Sequence, residues 1–446
     1  MQGAFISKQM IFLVCTMGFF TFRSFADPFW GILMYYGLAV LRPQAIWEWS
    51  LPHGIRWSFF AAIVAMVTTV LNIPSLRHRT AQRQFLPMLF AFGICIFFSF
   101  FFAKNQTVAT VVGWEYAKII LMVFIASYAV RERWHVRYLA WMIFLCLTYL
   151  VYEMNFQYVF DKRLNFYNVG YGGLDNNGAG LMLAMVVPFC YFFFLAERRW
   201  WRWGFFLCLV PAFHSVMLTY SRGAMLSTLI VSIGILLTTS RQRLVQTIVV
   251  TLLLIGVVLS LAGPDVRKRF LSINKTDRDA SAQSRFDSWE AGWLIAKDYP
   301  WFGVGIRNAN LLTKKYGADI EGRTIHNVYI QIAADAGFPA AVIYTSLIGM
   351  TLGRLRWSAK RTRSELDDYE GRWLHYICRA SMWSLGIFAI GAVFLSFETF
   401  ELCYLLMLIG AVAPFLAEQG SQGKAELGND SGTGKPARIS TGGLSA

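Results

Sequence analysis

Apolar runs, many of them 17 to 20 residues long, recur along nearly the whole chain and alternate with short polar stretches. At about 1.5 Å of rise per residue, such a run is what a helix needs to cross roughly 30 Å of hydrocarbon. The runs fall at 57–73, 86–103, 113–130, 136–152, 177–195, 204–219, 223–238, 243–262, 326–352, 378–396 and 400–417. Residues 8–41 add one broken span or two short helices, because Ser24, Asp27 and Pro28 interrupt an otherwise apolar stretch. The pattern predicts an all-α integral membrane protein of about twelve transmembrane helices, forming one polytopic domain over residues 1–418.

The segment 263–325 breaks this rhythm and is too long to be a mere connector, so it is expected to fold as a partly helical loop. Within it, Phe286, Trp289, Trp293 and Leu294 recur at three- and four-residue spacing, which predicts an amphipathic helix of about 14 residues against membrane or bundle. Pro300 ends it, and WFGVGIRN then turns on Gly303 and Gly305. Residues 419–446 are rich in Gly, Ser and Lys without periodicity and are expected to form a disordered cytoplasmic tail.

Composition agrees with lipid as solvent: 56% of the 446 residues are hydrophobic and only 15% charged. The net charge of +15 would invite a nucleic-acid partner, but the basic residues lie in short loops between spans, where they orient the protein instead. Loops 74–85, 131–137, 196–203, 239–243 and 353–380 carry 18 Lys and Arg, and loops 42–56, 104–112, 153–176 and 219–222 carry 6. The first set is therefore expected in the cytoplasm and the second, with 263–325, on the extracytoplasmic side. If residues 8–41 cross once, parity puts both termini in the cytoplasm. No cleavage site follows the first apolar run, which is read as a retained span. The seven cysteines lie in or beside apolar segments with no CxxC, as packing residues do.

Candidate chemistry gathers on the expected extracytoplasmic side. His326 opens a span in RTIHNVYIQIAADAG, and an imidazole there can accept a proton near neutral pH; the alternative is a boundary histidine that reaches to headgroups. Arg222, in LTYSRGAML, is a cation on the disfavoured face, satisfied either by a bound phosphate or by a carboxylate such as Glu398 or Glu115. Arg285, just before the aromatic helix face, is a third candidate. Arg267, Lys268 and Arg269 form a weaker cluster, which headgroup attraction explains at least as well as diphosphate binding. Asp277 and Asp279 resemble a metal-binding DxD but sit on the wrong side for a sugar nucleotide, so neither metal nor cofactor is expected. Asp335, nine residues into its span, is a buried charge that requires a partner. GxSxG, Walker A and HExxH motifs are absent, which leaves the substrate itself as the source of driving force.

The SRG arginine at a helix join, the arginine-led aromatic helix, PWFGVGIRN and HNVYIQIAADAGFPA, in this order over residues 175–352, resemble the O-antigen ligase family. ILMYYGLAVLRPQ in the N-terminal half is similar to exosortase-associated O-glycosylation ligases. The resemblance implies transfer of a glycan from undecaprenyl diphosphate to an acceptor on the periplasmic side, most often the lipid A core of lipopolysaccharide. By motif match it carries the family's functional arginines to Arg222 and Arg285 and its histidine to His326. An O-antigen polymerase or a protein O-oligosaccharyltransferase would share these features and differ in acceptor. A transporter of polyprenyl-linked sugars would also need cations facing a diphosphate, but the chain has no internal repeat.

Overall fold

The computed structural model describes residues 7–73, 85–161, 166–238 and 280–430, and among these the protein is helical, with one isolated bridge between Tyr171 and Leu174. Asp27 and Pro28 divide the first apolar stretch into α1 (Lys8–Ala26) and α2 (Phe29–Leu41), with the Asp27 carboxylate accepting from Phe29 N at 3.0 Å. There follow α3 (Trp57–Leu71), α4 (Phe85–Phe101), α5 (Gln106–Ala129), α6 (Arg133–Val159), α7 (Asn176–Ala184), α8 (Val186–Ala196), α9 (Arg202–Leu207), α10 (Leu209–Leu218) and α11 (Arg222–Leu237). The described chain resumes with α12 (Ala280–Asp298), then α13 (Val328–Arg361), α14 (Tyr369–Gly391) and α15 (Glu401–Asp430).

Burial sorts these helices by the solvent they face. On α15 every residue from Leu402 to Ala413 except Gly410 contributes a buried apolar side chain, as a helix that is apolar all round must when it sits inside a bundle. On α1 and α4, Phe12, Phe19, Phe22, Phe97, Phe98 and Phe101 are exposed, which suits a face turned to lipid. The chain is a multi-pass membrane protein by the length and composition of its helices.

The expected count of about twelve transmembrane helices is not met. Among the described residues six helices are long and apolar enough to cross a membrane: Lys8–Ala26, Gln106–Ala129, Arg133–Val159, Asn176–Ala196, Val328–Glu365 and Glu401–Gln419. The apolar runs at Trp57–Leu71, Phe85–Phe101, Arg202–Leu218 and Arg222–Leu237 form helices of 17 residues or fewer, short of the roughly 30 Å core. The runs themselves are short: 57–73, 204–219 and 223–238 hold only 16 or 17 residues, and the helices stay within that length. The run at 243–262 lies outside the described residues. The parity argument for the termini, which assumed twelve, loses its premise. Helix α15 continues to Asp430, beyond the expected start of the tail, and residues 431–446 are outside the described set.

One break in a long helix organises the site. Inside α13, Gly337 adopts φ 86°, ψ 166° and Pro339 follows it. Helical pairing would have Phe338 N bond the Ala334 carbonyl, and Pro339 has no N–H to offer the Asp335 carbonyl. The WFGVG segment supplies the missing partners: Val304 N donates to Ala334 O (3.1 Å) and Gly305 N to Asp335 O (3.0 Å). Phe338 N turns instead to Pro300 O (2.8 Å), and Ser99 Oγ adds a second bond to Asp335 O (2.6 Å). The loop is thus stitched to a span through carbonyls that the proline leaves open. Asp335 finds its partners in the same place: its carboxylate accepts from Ala309 N (2.9 Å) and Gln331 Nε2 (2.8 Å). Arg307, with φ 59°, ties the segment to Glu398 at 3.2 Å.

Asp335→Ala would leave two buried donors, Ala309 N–H and the Gln331 amide, without their acceptor. We expect this substitution to destabilise the protein by about 1–3 kcal/mol, the usual penalty for a buried polar group left unsatisfied. The check is the thermal unfolding midpoint of the detergent-solubilised variant against the parent protein.

Candidate active site

Three stretches far apart in sequence meet at one cavity. The first is the turn TYSR between α10 and α11. Ser221 caps α11, its Oγ accepting from Ala224 N at 3.3 Å, and Arg222 is the first helical residue. The second is the start of α7, where Asp175 caps by accepting from Gly178 N at 2.9 Å. The two turns are tied together: Asn176 Nδ2 donates to Thr219 O (3.1 Å) and Ser221 Oγ donates to Asn177 Oδ1 (3.0 Å). Gly180 permits this approach, since a Cβ there would lie 2.6 Å from Thr219 Oγ1.

The third stretch comes from the loop. Ser288 on α12 donates to Ile325 O (3.1 Å) and Trp289 Nε1 to His326 O (3.2 Å), which holds the strand of chain before α13 against α12. Asn327 then caps α13, accepting from Tyr329 N (3.0 Å) and Ile330 N (3.1 Å). Helix α12 covers the predicted amphipathic segment, but Phe286, Trp293 and Leu294 lie outward while Ser288, Ala291, Ile295 and Ala296 are buried. Close approach explains it: a Cβ on Gly292 would lie 2.8 Å from Ile330, so small residues make the closest contact with α13, while Trp293 reaches it from the rim, edge to face on Phe338.

The resulting cavity has a volume of about 310 Å³, at the lower end of the range for small-molecule sites. Arg222, Arg285, Arg323 and His326 line it on the charged side. Tyr167, Tyr220, Asn168, Asn176, Asn177 and Ser284 line the rest. The three residues singled out in the sequence, Arg222, Arg285 and His326, are therefore brought together. Arg267, with Lys268, Arg269, Asp277 and Asp279, lies outside the described residues. Glu398 and Glu115, the carboxylates considered for Arg222, bond other cations: Glu398 pairs with Arg307, and Glu115 with Arg56 (3.0 Å) and Lys118 (2.6 Å).

Sequence reasoning missed Arg323 and the uncharged lining. Arg323 is paired with Asp319, four residues before it, through two hydrogen bonds. A signal for Tyr220 and His326 exists in the backbone alone. Among the described residues four non-glycine positions have positive φ, namely Arg42, Tyr220, Arg307 and His326, and two of them line this cavity. A left-handed backbone at a bulky residue costs about 1–2 kcal/mol and persists where the surroundings impose it, which is common at functional sites.

Electrostatics set the state of the imidazole. Burial, and then the positive charge of Arg285, push the His326 pKa from 6.5 down to about 4, against an opposing pull from the Asp175 carboxylate. His326 is consequently neutral across the physiological range and free to accept a proton, in a cavity whose guanidinium groups favour an anion. The arrangement can hold a diphosphate and place a base beside it.

The O-Antigen ligase family model matches residues 207–345, a stretch that contains Arg222, Arg285 and His326. A family of unknown function (DUF5935) matches residues 9–161, which contribute none of the cavity lining. No match is found among curated proteins. Each family match covers less than half of the chain; residues 207–345 are similar to the O-Antigen ligase family in general, with no subtype singled out.

Proposed function

We propose that this chain is an inverting, metal-independent glycosyltransferase that moves a glycan, O-antigen, from undecaprenyl diphosphate to an acceptor hydroxyl. The acceptor is the lipid A core, and the site faces the periplasm of the bacterial inner membrane. The observation that carries this reading is the convergence of Arg222, Arg285 and His326 on one cavity inside the stretch matched as O-Antigen ligase. The facing rests on the Lys and Arg bias between alternate loops.

In the mechanism, Arg222 and Arg285 hold the diphosphate and offset the charge that builds on it as the glycosidic C–O bond breaks. His326 takes the proton of the acceptor hydroxyl as its oxygen bonds to the anomeric carbon. Undecaprenyl diphosphate departs with the electron pair. With attack on the face opposite the leaving group, the anomeric configuration inverts; a product of retained configuration would rule out this single displacement.

The test is a mixture of purified protein, undecaprenyl-diphosphate glycan and three candidate acceptors, without nucleotide. Transfer to lipid A core is the expected outcome. Transfer to another glycan would make the chain a polymerase, transfer to protein an O-oligosaccharyltransferase, and no transfer would end the ligase reading.

A pH dependence follows from His326. The base works when deprotonated, so the rate falls as pH drops through its pKa. In the free protein that pKa is about 4, and kcat/KM should hold from neutral pH down to near 4. Bound diphosphate offsets the Arg285 charge that depresses the pKa, so the acid limb of kcat should lie at higher pH than that of kcat/KM. Coincident limbs near 6.5 would show that neither burial nor Arg285 depresses the imidazole, and would contradict this electrostatic account.

A further inference from the structure

The uncharged half of the cavity is built as deliberately as the cationic half. Tyr167 and Tyr220 meet edge to face, with ring centroids 6.3 Å apart and planes at 71°. Tyr167 is exposed, and Tyr220 keeps a left-handed backbone at φ 55° where glycine or asparagine would carry less strain. Beside them Asn176 and Asn177 are fixed amides. Asn177 Nδ2 donates to Asn176 Oδ1 at 3.2 Å, and the bonds to Thr219 and Ser221 set the flip of both groups. An amide has two donor and two acceptor positions, and these bonds use one of each on Asn176.

An aromatic wall with oriented amides at its edge matches a pyranose, which presents an apolar C–H face and a rim of hydroxyl or acetamido groups. Charge narrows the choice, because the described lining contains three arginines against one nearby carboxylate, Asp175, which disfavours a cationic amino sugar. Position narrows it further: Tyr220 and Arg222 flank Ser221 on one turn, so the ring on Tyr220 lies next to the diphosphate held by Arg222.

We infer that Tyr167, Tyr220, Asn176 and Asn177 form a subsite for the neutral or N-acetylated pyranose bonded directly to the lipid diphosphate, so that the protein selects donors by their first sugar. This rests on the diphosphate role proposed for the arginines. The ligands to compare are undecaprenyl diphosphate and undecaprenyl-diphosphoryl N-acetylglucosamine, with binding measured to the full chain in nanodiscs. The variants are Tyr167→Ala, at an exposed ring, and Tyr220→Asn, since asparagine tolerates the left-handed backbone.

Each variant should bind the sugar-bearing lipid about ten-fold more weakly and the sugar-free lipid within about two-fold of the parent protein. Equal losses for both lipids would make the tyrosines structural and overturn the inference, as would no loss for either. Parent protein that binds both lipids equally well would overturn the inference alone. Parent protein that binds neither would overturn the diphosphate reading beneath it.

Discussion

Alanine at position 326 is expected to lower glycan transfer by about 10²–10⁴-fold, the range that a positioned general base contributes. Donor binding should change little, because the arginines that hold the diphosphate remain. The loss would therefore appear in kcat and leave KM for the lipid donor near its original value. His326 has a φ of 55°, and a substitution there could act by disturbing the turn before α13. His326→Asn separates the two effects, since asparagine accepts the left-handed backbone but supplies no base. Transfer at a normal rate by His326→Asn would show that the imidazole takes no proton in the reaction.

The second large effect lies away from the chemistry. A Cβ at Gly303 would overlap the backbone of Asp335 and Ala336, and one at Gly337 would overlap the carbonyl of Trp301. Both glycines also have positive φ, 65° and 86°. Neither neighbour is a flexible side-chain end; both are backbone, and Asp335 O itself accepts from Gly305 N and Ser99 Oγ. Gly303→Ala is accordingly expected to destabilise the docked loop by about 3 kcal/mol or more, adding left-handed strain to overpacking. With the loop undocked, Arg285, Arg323 and His326 no longer share a wall with Arg222, and transfer is lost as well. Limited proteolysis of residues 299–326 and the thermal midpoint read the effect. Gly349 and Gly353, on α13 with no atom within 4 Å of a Cβ, are the controls: alanine there should be neutral or stabilising by up to about 1 kcal/mol. Gly303→Ala as stable as these controls would contradict the stitched loop.

The cationic part of the site was legible in the sequence because charge in an apolar chain stands out. Arg222, a cation on the disfavoured face, and His326, at the opening of a span, stood out by position, Arg285 joined them mainly through the family resemblance, and all three line the cavity. Tyr167, Asn176, Asn177 and Tyr220 were not legible, since tyrosine and asparagine near a membrane boundary are ordinary and only the meeting of α7 with the TYSR turn joins them. The partners of Asp335 were hidden for a similar reason: one is a backbone amide, Ala309 N, which no side-chain pattern reports.

The span count failed on a different ground. Apolar runs of 16 residues, such as 204–219 and 223–238, read as spans by hydropathy, yet the helices they form, Arg202–Leu218 and Arg222–Leu237, are shorter than the hydrocarbon core. On α12 the apolar period was visible but its inward face was not. The large aromatics marked the helix, and the small residues Ser288, Ala291 and Gly292 turned out to make the closest contact.

The central claim is that the cavity between α7, α11 and α12 receives the lipid diphosphate with its first sugar. The most direct measurement is photo-crosslinking with an undecaprenyl-diphosphate sugar that carries a diazirine on the ring next to the diphosphate, followed by mapping of the labelled peptides. The account predicts label on residues 167–177, 220–222 and 323–326, competed away by unlabelled donor. Competable label confined to other parts of the chain would contradict it.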